Sequence, residues 1–230
     1  DNQKDLVTGL GEVNGVTLDW WNSKIYWAQV DGGGGGAGKI MRANLDGSNV
    51  EVVITNLNTP QDLIYDEHAG GTIWWSDPIS SHLGEGYVDG TVVQVDNVPG
   101  IWGLRADRIK RILYWTSITW QSIVWDNSRE DPPVNTIVTG LTKPTGIDLD
   151  FVNLKIYWVD ETPRKIMRSE IDGSDPQDFV TGLVSPRYVR VYNLASGPKP
   201  VRAVPFSNKY LLMGLLALLG GWLVYRKRKL

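Results

Sequence analysis

GIDLDFVNLKIYW (146–158) is one of four segments of this chain that share a single pattern. The other three are GVTLDWWNSKIYW (15–27), DLIYDEHAGGTIWW (62–75) and GLRADRIKRILYW (103–115). In each segment an alternating run of residues ends at an Asp, a short turn follows, and an aliphatic residue then precedes two aromatics. The four Asp residues, Asp19, Asp66, Asp107 and Asp150, are 47, 41 and 43 residues apart. A fixed period of this length indicates repeated structural units, and it is typical of the blades of a β-propeller.

A second signature follows each of three aromatic pairs. Asp46-Gly47, Asp89-Gly90 and Asp172-Gly173 stand six residues after Ile40, Leu83 and Ile166, respectively. Asp-Gly between apolar alternations favours a tight hairpin, because Gly tolerates positive φ and Asp caps its own turn. Each repeat then closes with an apolar strand and a proline linker, at Pro60, Pro99, Pro144 and Pro186. The pattern predicts four antiparallel strands, A to D, in each repeat, and therefore an all-β fold.

The aromatic pairs resemble the YWTD motif of low-density lipoprotein receptor class B repeats. They are Tyr26-Trp27, Trp74-Trp75, Tyr114-Trp115 and Tyr157-Trp158. The Asp-Gly turns and proline linkers also fall where that family has them, and the resemblance spans about residues 5–192. It implies a β-propeller, which in that family has six blades. Gln29 and Ser117 stand at two positions where the motif has Asp, so we expect different hydrogen bonds there.

Four complete blades and a single strand at each end are expected within residues 1–195. Residues 5–10 echo residues 178–183 and predict an opening D strand, whereas residues 187–192 predict a lone A strand. One hypothesis is that these strands belong to one blade whose B and C strands lie upstream of Asp1. An open arc of blades or a dimer is the alternative, although an open arc would leave sheet edges exposed.

The end of the chain predicts a membrane segment. After a linker over residues 196–209, residues 210–225 are uncharged, and Arg226, Lys227, Arg228 and Lys229 follow in the tail 226–230. A helix of this length spans roughly 24 Å, somewhat less than a bilayer core of about 30 Å, and flanking cations can extend to close the gap. Because basic residues stay on the cytoplasmic side, we expect the C-terminus inside and the propeller outside. A buried core helix is the alternative.

The same tail resembles the C-terminal sorting signals of bacteria that exosortase-like or rhombosortase-like enzymes process. The resemblance rests on Val204-Pro205, the apolar run and the terminal basic cluster. It implies a transient anchor and a processing protease as a partner. A plain single-span anchor is the alternative.

Composition excludes several function classes. With the seven cations of residues 196–230 set aside, 16 basic side chains face 26 acidic ones, a net charge of −10, which disfavours nucleic-acid binding. The chain has no Cys, so disulfides and thiolate sites are absent, as a bacterial cell-envelope protein allows. We expect an extracytoplasmic protein, in the periplasm or at the cell surface.

The irregular loops predict where a ligand binds. In a four-stranded meander the D-to-A linkers and the B–C turns share one face, and this face carries the irregular insertions. Our candidate ligand-binding residues there are Gln29, Asp31, His82, Trp102, Trp120 and Tyr188. Aromatic side chains give a large contact area at low entropic cost, and a protein, peptide or glycan ligand would suit them. Trp102 and Tyr188 could instead pack between blades, and Trp20-Trp21, at an A–B turn, could contact a neighbouring domain.

The sequence offers little for catalysis. The nucleophile, zinc-protease and phosphate-loop motifs are all missing from a chain with two His and no Cys. His82, Glu85 and Asp89 form a loose set of metal-ligand types, but they share one extended segment, so we predict no metal and no cofactor. A non-catalytic binding module is therefore favoured. A metal-dependent hydrolase or lyase on a propeller, lactonase-like in its chemistry, is the alternative, and a purely structural surface protein is a third.

Overall fold

The computed structural model describes residues 5–32, 36–67, 70–126 and 135–193, together with the backbone of 212–218 and 222–223. Four consecutive four-stranded antiparallel sheets follow one another along the chain, as the repeats predict. We call them blades 1 to 4. Blade 1 contains β1 (Glu12–Asp19), β2 (Lys24–Val30), β3 (Gly38–Asn44) and β4 (Glu51–Leu57); blade 2 contains β5 (Asp62–Asp66), β6 (Thr72–Asp77), β7 (His82–Tyr87) and β8 (Val92–Asn97).

Blades 3 and 4 repeat the same order. Blade 3 contains β9 (Ile101–Asp107), β10 (Ile112–Ser117), β11 (Ser122–Asp126) and β12 (Asn135–Val138). Blade 4 contains β13 (Pro144–Asp150), β14 (Lys155–Asp160), β15 (Lys165–Glu170) and β16 (Gln177–Val180). A fifth A strand, β17 (Tyr188–Asn193), follows and contacts β13. Because the A strands of successive blades contact one another, they are the inner strands about a common axis.

The core lies between successive sheets. Blades 1 and 2 share a cluster that includes Tyr26, Ile40, Leu63 and Trp75, and equivalent clusters join blades 2 and 3, blades 3 and 4, and blade 4 and β17. The second aromatic of each pair is buried, as its position on the B strand predicts; these are Trp27, Trp75, Trp115 and Trp158. The recurring aromatic pairs therefore mark the interfaces between stacked sheets. The structure confirms an all-β propeller with four blades.

The two ends differ from the expectations in part. The opening D strand predicted over residues 5–10 is wrong: the structure has no strand there, although Val7 and Leu10 pack on the core of blade 1. The physical reason is that no C strand lies beside this segment among the described residues to pair with its backbone. The lone A strand is confirmed as β17. The hypothesis that it shares a blade with residues 5–10, and the count of six blades, stay predictions.

The helix expected over residues 210–225 is not shown. Of that stretch the structure describes two strands, β18 (Leu212–Leu218), which pairs in parallel with β17, and β19 (Trp222–Leu223). No helix within the described part of the chain is long and apolar enough to cross a membrane. The linker 196–209 with Val204-Pro205, and the cluster Arg226 to Lys229, lie outside the described residues.

Candidate binding face

Strand direction divides the connections between two faces. We define the loop face by the D-to-A linkers (58–61, 98–100, 139–143 and 181–187) and the described residues of the B–C turns (31–32, 36–37, 78–81, 118–121 and 161–164). We define the turn face by the described residues of the A–B turns (20–23, 67, 70–71, 108–111 and 151–154) and by the C–D turns of blades 1, 2 and 4 (45–50, 88–91 and 171–176). Because each blade is an antiparallel meander, the connections alternate between the faces. The loop face is the one on which the sequence predicts ligand binding.

Buried carboxylates at the ends of two B strands hold the linkers of the loop face in place. Asp77 accepts hydrogen bonds from the backbone N–H groups of Asn58, at 2.8 Å, and Thr59, at 3.1 Å. Asp160 accepts equivalent bonds from Thr142 and Lys143, at 3.0 and 2.7 Å. These two Asp residues are the last residue of the YWTD motif in their blades, and their role is to join the linker to the B strand.

The two blades that lack this Asp use other bonds, as expected. In blade 3 the Ser117 hydroxyl donates to the carbonyl of Pro99 at 2.7 Å and accepts from the backbone N–H of Trp120 at 3.0 Å. In blade 1 the Gln29 amide oxygen accepts from Trp27 Nε1 at 3.0 Å, and its nitrogen donates to Asp31 at 2.6 Å. Gln29 is therefore a buried link between the core and the loop.

The candidate residues divide by exposure. Asp31, His82 and Trp120 are exposed on the loop face, Trp102 is half-buried at the start of β9, and Gln29 and Tyr188 are buried. Gln29 and Asp31 bond directly to each other, and Lys39 donates to Asp31, which lowers the pKa of the Asp31 carboxyl. The remaining four are spread over blades 2 and 3 and β17. Their contact with a ligand stays a prediction.

Tyr188 joins β17 to blade 2 across the axis by hydrogen bonds to Gln61. Its hydroxyl donates to the carbonyl of Gln61 at 3.1 Å and accepts from the Gln61 side-chain amide at 2.5 Å, so β17 and blade 2 meet at the loop face. The burial of Tyr188 follows from this contact, which sequence spacing does not reveal because the two residues are 127 positions apart.

An ionic network that the sequence reading missed lies deeper along the axis. Arg105 donates to Asp62 at 3.0 Å and to Asp148 at 2.9 Å, and Arg190 lies 3.6 Å from Asp62. Asp148 also accepts the backbone N–H of Val191 at 2.6 Å. The network joins the inner strands of blades 2, 3 and 4 to β17. Burial raises the pKa of the Asp62 and Asp148 carboxyls, and Arg105 and the backbone donors oppose that rise.

One sequence signal could have found this network. Gly15, Gly103 and Gly146 begin the repeat in three blades, and at each of them a Cβ atom would lie within 2.7 Å of the next inner strand. Blade 2 has Asp62 at the equivalent place, completely buried, with its carboxylate accepting the backbone N–H of Leu104 at 3.1 Å. An Asp in a glycine position indicates a specific buried partner.

The loop face also carries a shallow cavity of about 250 Å³ at blade 4, lined by Lys143, Glu161, Thr162, Arg164 and Ser185. Within it Lys143 lies 3.0 Å from Glu161, and Arg187 lies 3.8 Å from the same carboxylate. Val184, beside Ser185, is exposed. The rim therefore combines cationic and apolar groups.

No group of three or more His, Cys, Asp or Glu side chains that could hold a metal occurs among the residues that the structure describes. His82 is the first residue of β7, at the loop face, and Asp89 lies in the turn after β7, at the turn face. Glu85 is buried in the strand between them. The six residues of that strand span about 20 Å, so the three side chains do not converge.

Comparison with known proteins gives relatives by sequence. No protein-family model matches the chain. It is 30% identical over 191 residues to the vitellogenin receptor Yl of Drosophila melanogaster, an alignment that covers 80% of this chain and 9% of that receptor. It is 35% identical over 74 residues to nidogen-2 of Mus musculus, covering 32% of this chain and 5% of nidogen-2. The chain thus spans less than a tenth of either relative.

Solved structures give the same fold. The crystal structure of a nidogen/laminin complex matches with a TM-score of 0.65 at 21% identity, covering 76% of this chain and 67% of that one. A streptogramin B lyase matches with a TM-score of 0.57 at 15% identity, covering 75% and 55%, and virginiamycin B lyase from Staphylococcus aureus with 0.54 at 16%, covering 73% and 55%. The comparisons show an all-β propeller fold. The sequence relatives of this chain carry the YWTD propeller of the low-density lipoprotein receptor type that the sequence predicts.

Proposed function

We propose that this chain is a non-catalytic, extracytoplasmic module that binds a protein ligand through its loop face. The observation that carries the proposal is an exposed aromatic on a rigid base: Trp120 is 41% exposed, while its own backbone N–H is tied to Ser117 in the buried end of β10. Ile79 and Val184 add exposed apolar surface on the same face. An exposed aromatic held on a rigid base is a usual centre of a protein-binding surface.

The relatives support a protein as the ligand class. One solved structure similar to this chain is a complex of nidogen with laminin, and one sequence relative is a receptor. The similar lyases share the fold at 16% identity or less, which carries no argument about catalysis. A glycan ligand is an outcome that the experiment below separates from a protein ligand.

Site-specific photo-crosslinking tests the loop face. A photoreactive amino acid at position 120 should capture a discrete protein from an envelope or extracellular fraction, whereas the same amino acid at position 93, on the outer strand β8, should not. Trp120→Ala should then weaken binding of the captured, purified partner by about tenfold or more, with an unchanged unfolding midpoint. Equal capture from both positions, capture of glycan alone, or no effect of Trp120→Ala on the purified partner would reject the proposed face.

We further propose that residues 210–225 tether the propeller to a membrane, with the C-terminal basic cluster in the cytoplasm, and that a sorting protease acts near Val204-Pro205. The support is the uncharged run followed by four cations. The structure gives an alternative position for part of this run, because β18 (Leu212–Leu218) pairs with β17.

Carbonate extraction of membranes separates the two placements. A tethered chain should stay in the membrane pellet, and Leu216→Arg should release it without lowering the stability of the propeller. If Leu212–Leu218 is instead a structural strand, the chain should be released by carbonate. Release of the unsubstituted chain would therefore contradict the tether.

A further inference from the structure

Ionisable side chains gather on the loop face at blade 4. No ionisable residue occurs in the linkers and B–C turns that belong to blades 2 and 3 on the same face, which are residues 58–61, 78–81, 98–100 and 118–121. The linkers on either side of blade 4 and its B–C turn contain Lys143, Glu161, Arg164 and Arg187. Because the blades repeat one backbone pattern, the fold itself does not require charges at these positions. The four residues line the cavity of about 250 Å³ at blade 4 or contact its wall.

The cations at this cavity outnumber the carboxylates. Glu161 is shared by two of them, since its carboxylate lies 3.0 Å from Lys143 Nζ and 3.8 Å from Arg187 Nε. The neighbouring Asp160 is buried and accepts backbone N–H groups of the linker. Arg164 is exposed and forms no ion pair within the described part of the chain. Three cations and two carboxylates give the cavity a local charge of +1, on a body that is otherwise acidic.

Lys165, the next residue after Arg164, does not change this balance. Its ammonium group is paired with the carboxylate of Asp178 on the outer strand β16, so the pair is neutral as a whole. The hydroxyl groups of Thr162 and Ser185, which also line the cavity, add neutral hydrogen-bond donors. The cavity is therefore a concave, donor-rich surface with a single excess positive charge.

Backbone hydrogen bonds join the three walls of the cavity. The N–H of Glu161 donates to the carbonyl of Lys143 at 2.9 Å, and the N–H of Arg164 donates to the carbonyl of Glu161 at 3.1 Å. The N–H of Leu183 then donates to the carbonyl of Arg164 at 3.0 Å. Linker, turn and following linker are thus fixed to one another before any ligand arrives, which lowers the entropic cost of binding.

The cavity also adjoins the exposed aromatic of the neighbouring blade. The N–H of Leu141 donates to the carbonyl of Gln121 at 3.0 Å, and Gln121 directly follows Trp120. Lys143 is two residues beyond Leu141, at most about 7 Å of extended chain. Val184, in the third wall, is 77% exposed. A ligand that covers Trp120 would therefore also reach the cavity.

From these observations we propose that the cavity receives one acidic side chain, Asp or Glu, of the protein ligand. The inference rests on the proposed function of the loop face. A single carboxylate balances the local charge, whereas a phosphate group, at about −1.5 to −2, would exceed it. The cavity is smaller than the roughly 300–1,000 Å³ of pockets for small organic ligands, which suits one side chain of a larger partner. Arg164 and Lys143 supply the charge-assisted hydrogen bonds.

Small probes test the cavity without the partner. The α-amide of N-acetylaspartate, added to the isotope-labelled full chain, should shift the amide signals of Glu161, Arg164 and Ser185 saturably, and the uncharged asparagine counterpart should not. Arg164→Gln should weaken binding of the aspartate probe by about tenfold. Arg111→Gln on the turn face is the matched control, because both arginines are exposed and have the same left-handed backbone, with φ of 55° and 58°. It should leave binding of the aspartate probe unchanged.

The protein captured through position 120, once purified, tests the same cavity in the complex. Arg164→Gln should weaken its binding by about tenfold at low salt, and added NaCl should reduce the difference from the native chain, because a partly exposed ion pair is screened. Arg111→Gln should bind this partner as the native chain does. Equal unfolding midpoints of the two variants show that the loss is local.

The outcomes separate the cavity from the loop-face proposal. If Trp120→Ala weakens partner binding but Arg164→Gln does so no more than Arg111→Gln, the loop face stands and the cavity is overturned. If the aspartate probe binds through Arg164 but position 120 captures no protein, the carboxylate cavity stands and the protein ligand is contradicted. An equal response to inorganic phosphate, a response to N-acetylalanine alone, which carries only a terminal carboxylate, or no response to any anion would overturn the assignment to an acidic side chain.

Discussion

Arg105 Nη1 lies 3.0 Å from Asp62 Oδ2, and the two residues belong to the inner strands of neighbouring blades. The same guanidinium also reaches Asp148 in the next blade, at 2.9 Å. Arg105 therefore bridges two carboxylates, of which Asp62 has no exposed surface, and Arg190 lies 3.6 Å from the other oxygen of Asp62. Since burying an unpaired charge is costly, this side chain determines whether three inner strands can pack around the axis.

Removing that cation should destabilise the propeller. Arg105→Met is expected to lower the free energy of unfolding by about 3–5 kcal/mol, because Asp62 and Asp148 lose the cation that bridges them in the interior. Lys165→Met, which breaks the exposed pair with Asp178, should cost no more than about 1 kcal/mol. Adding Asp62→Gly, the residue of the other blades, should recover part of the Arg105→Met loss. Equal losses in urea unfolding of the two single variants would refute the axial role.

A close contact between Trp75 and Gly84 supports a second prediction. A Cβ atom at Gly84 would lie 2.1 Å from the Trp75 ring, in the core of blade 2. Gly84→Ala should therefore destabilise the protein by about 3 kcal/mol, because a buried indole must move. The same change in a Trp75→Leu background should cost much less. Thermal unfolding of the four proteins of this cycle measures the coupling, and simple additivity would show that the ring does not cause the cost.

The linker bonds of Asp77 support a third prediction. Asp77→Ala leaves the backbone N–H groups of Asn58 and Thr59 without their acceptor, and it should lower the free energy of unfolding by about 3 kcal/mol. Ser117→Ala, at the equivalent position of blade 3, should cost about 1 kcal/mol because a neutral hydroxyl is lost. Hydrogen exchange should report faster opening of the linker around residue 59 in the Asp77 variant only. An unchanged exchange rate there would contradict the linker role.

Local patterns in the repeats predict the four blades and the burial of the second aromatic in each pair. An aromatic pair, an Asp-Gly turn and a proline linker are each read within a few residues, so the blades and the burial of Trp115 or Trp158 follow from sequence. The contacts across the axis do not follow, because Gln61 and Tyr188 are brought together by closure of the whole arc. The sequence alone therefore leaves Tyr188 either ligand-binding or packed between blades, and the structure shows it buried.

The candidate site shows the same limit in its loops. Periodicity assigns Trp120 to a B–C turn, and its exposure follows from that assignment. Gln29 lies at the matching end of its strand, yet it is buried because its amide satisfies both Trp27 and Asp31. Which polar side chain turns inward depends on unpaired donors nearby, and those are visible only in three dimensions.

Tyr65 gives the protein a predictable response to alkaline pH. Its ring is buried between blades 1 and 2, stacked on Tyr26 with centroids 5.6 Å apart. Burial, followed by the hydrogen bond and the charge of Asp19, raises the pKa of Tyr65 from 10.0 to about 12. The folded state therefore holds the phenolic proton more tightly than the unfolded state does. Its contribution is complete below pH 10 and is lost as the pH rises toward 12, amounting to about 2–3 kcal/mol.

The prediction is that the free energy of unfolding falls between pH 10 and pH 12 in the native sequence, and falls less in Tyr65→Phe. Tyr65→Phe should cost about 1 kcal/mol at pH 8, since Asp19 loses the phenolic donor while the ring stays packed on Tyr26. Tyr87→Phe, which removes the hydroxyl of an exposed ring on β7, is the matched control for the substitution itself. Urea unfolding followed by circular dichroism from pH 8 to pH 12 measures all three proteins. A fall in stability at alkaline pH arises only where a proton is bound more tightly in the folded state. A slope that Tyr65→Phe does not reduce would therefore assign the alkaline loss to other titrating groups and remove Tyr65 as its source.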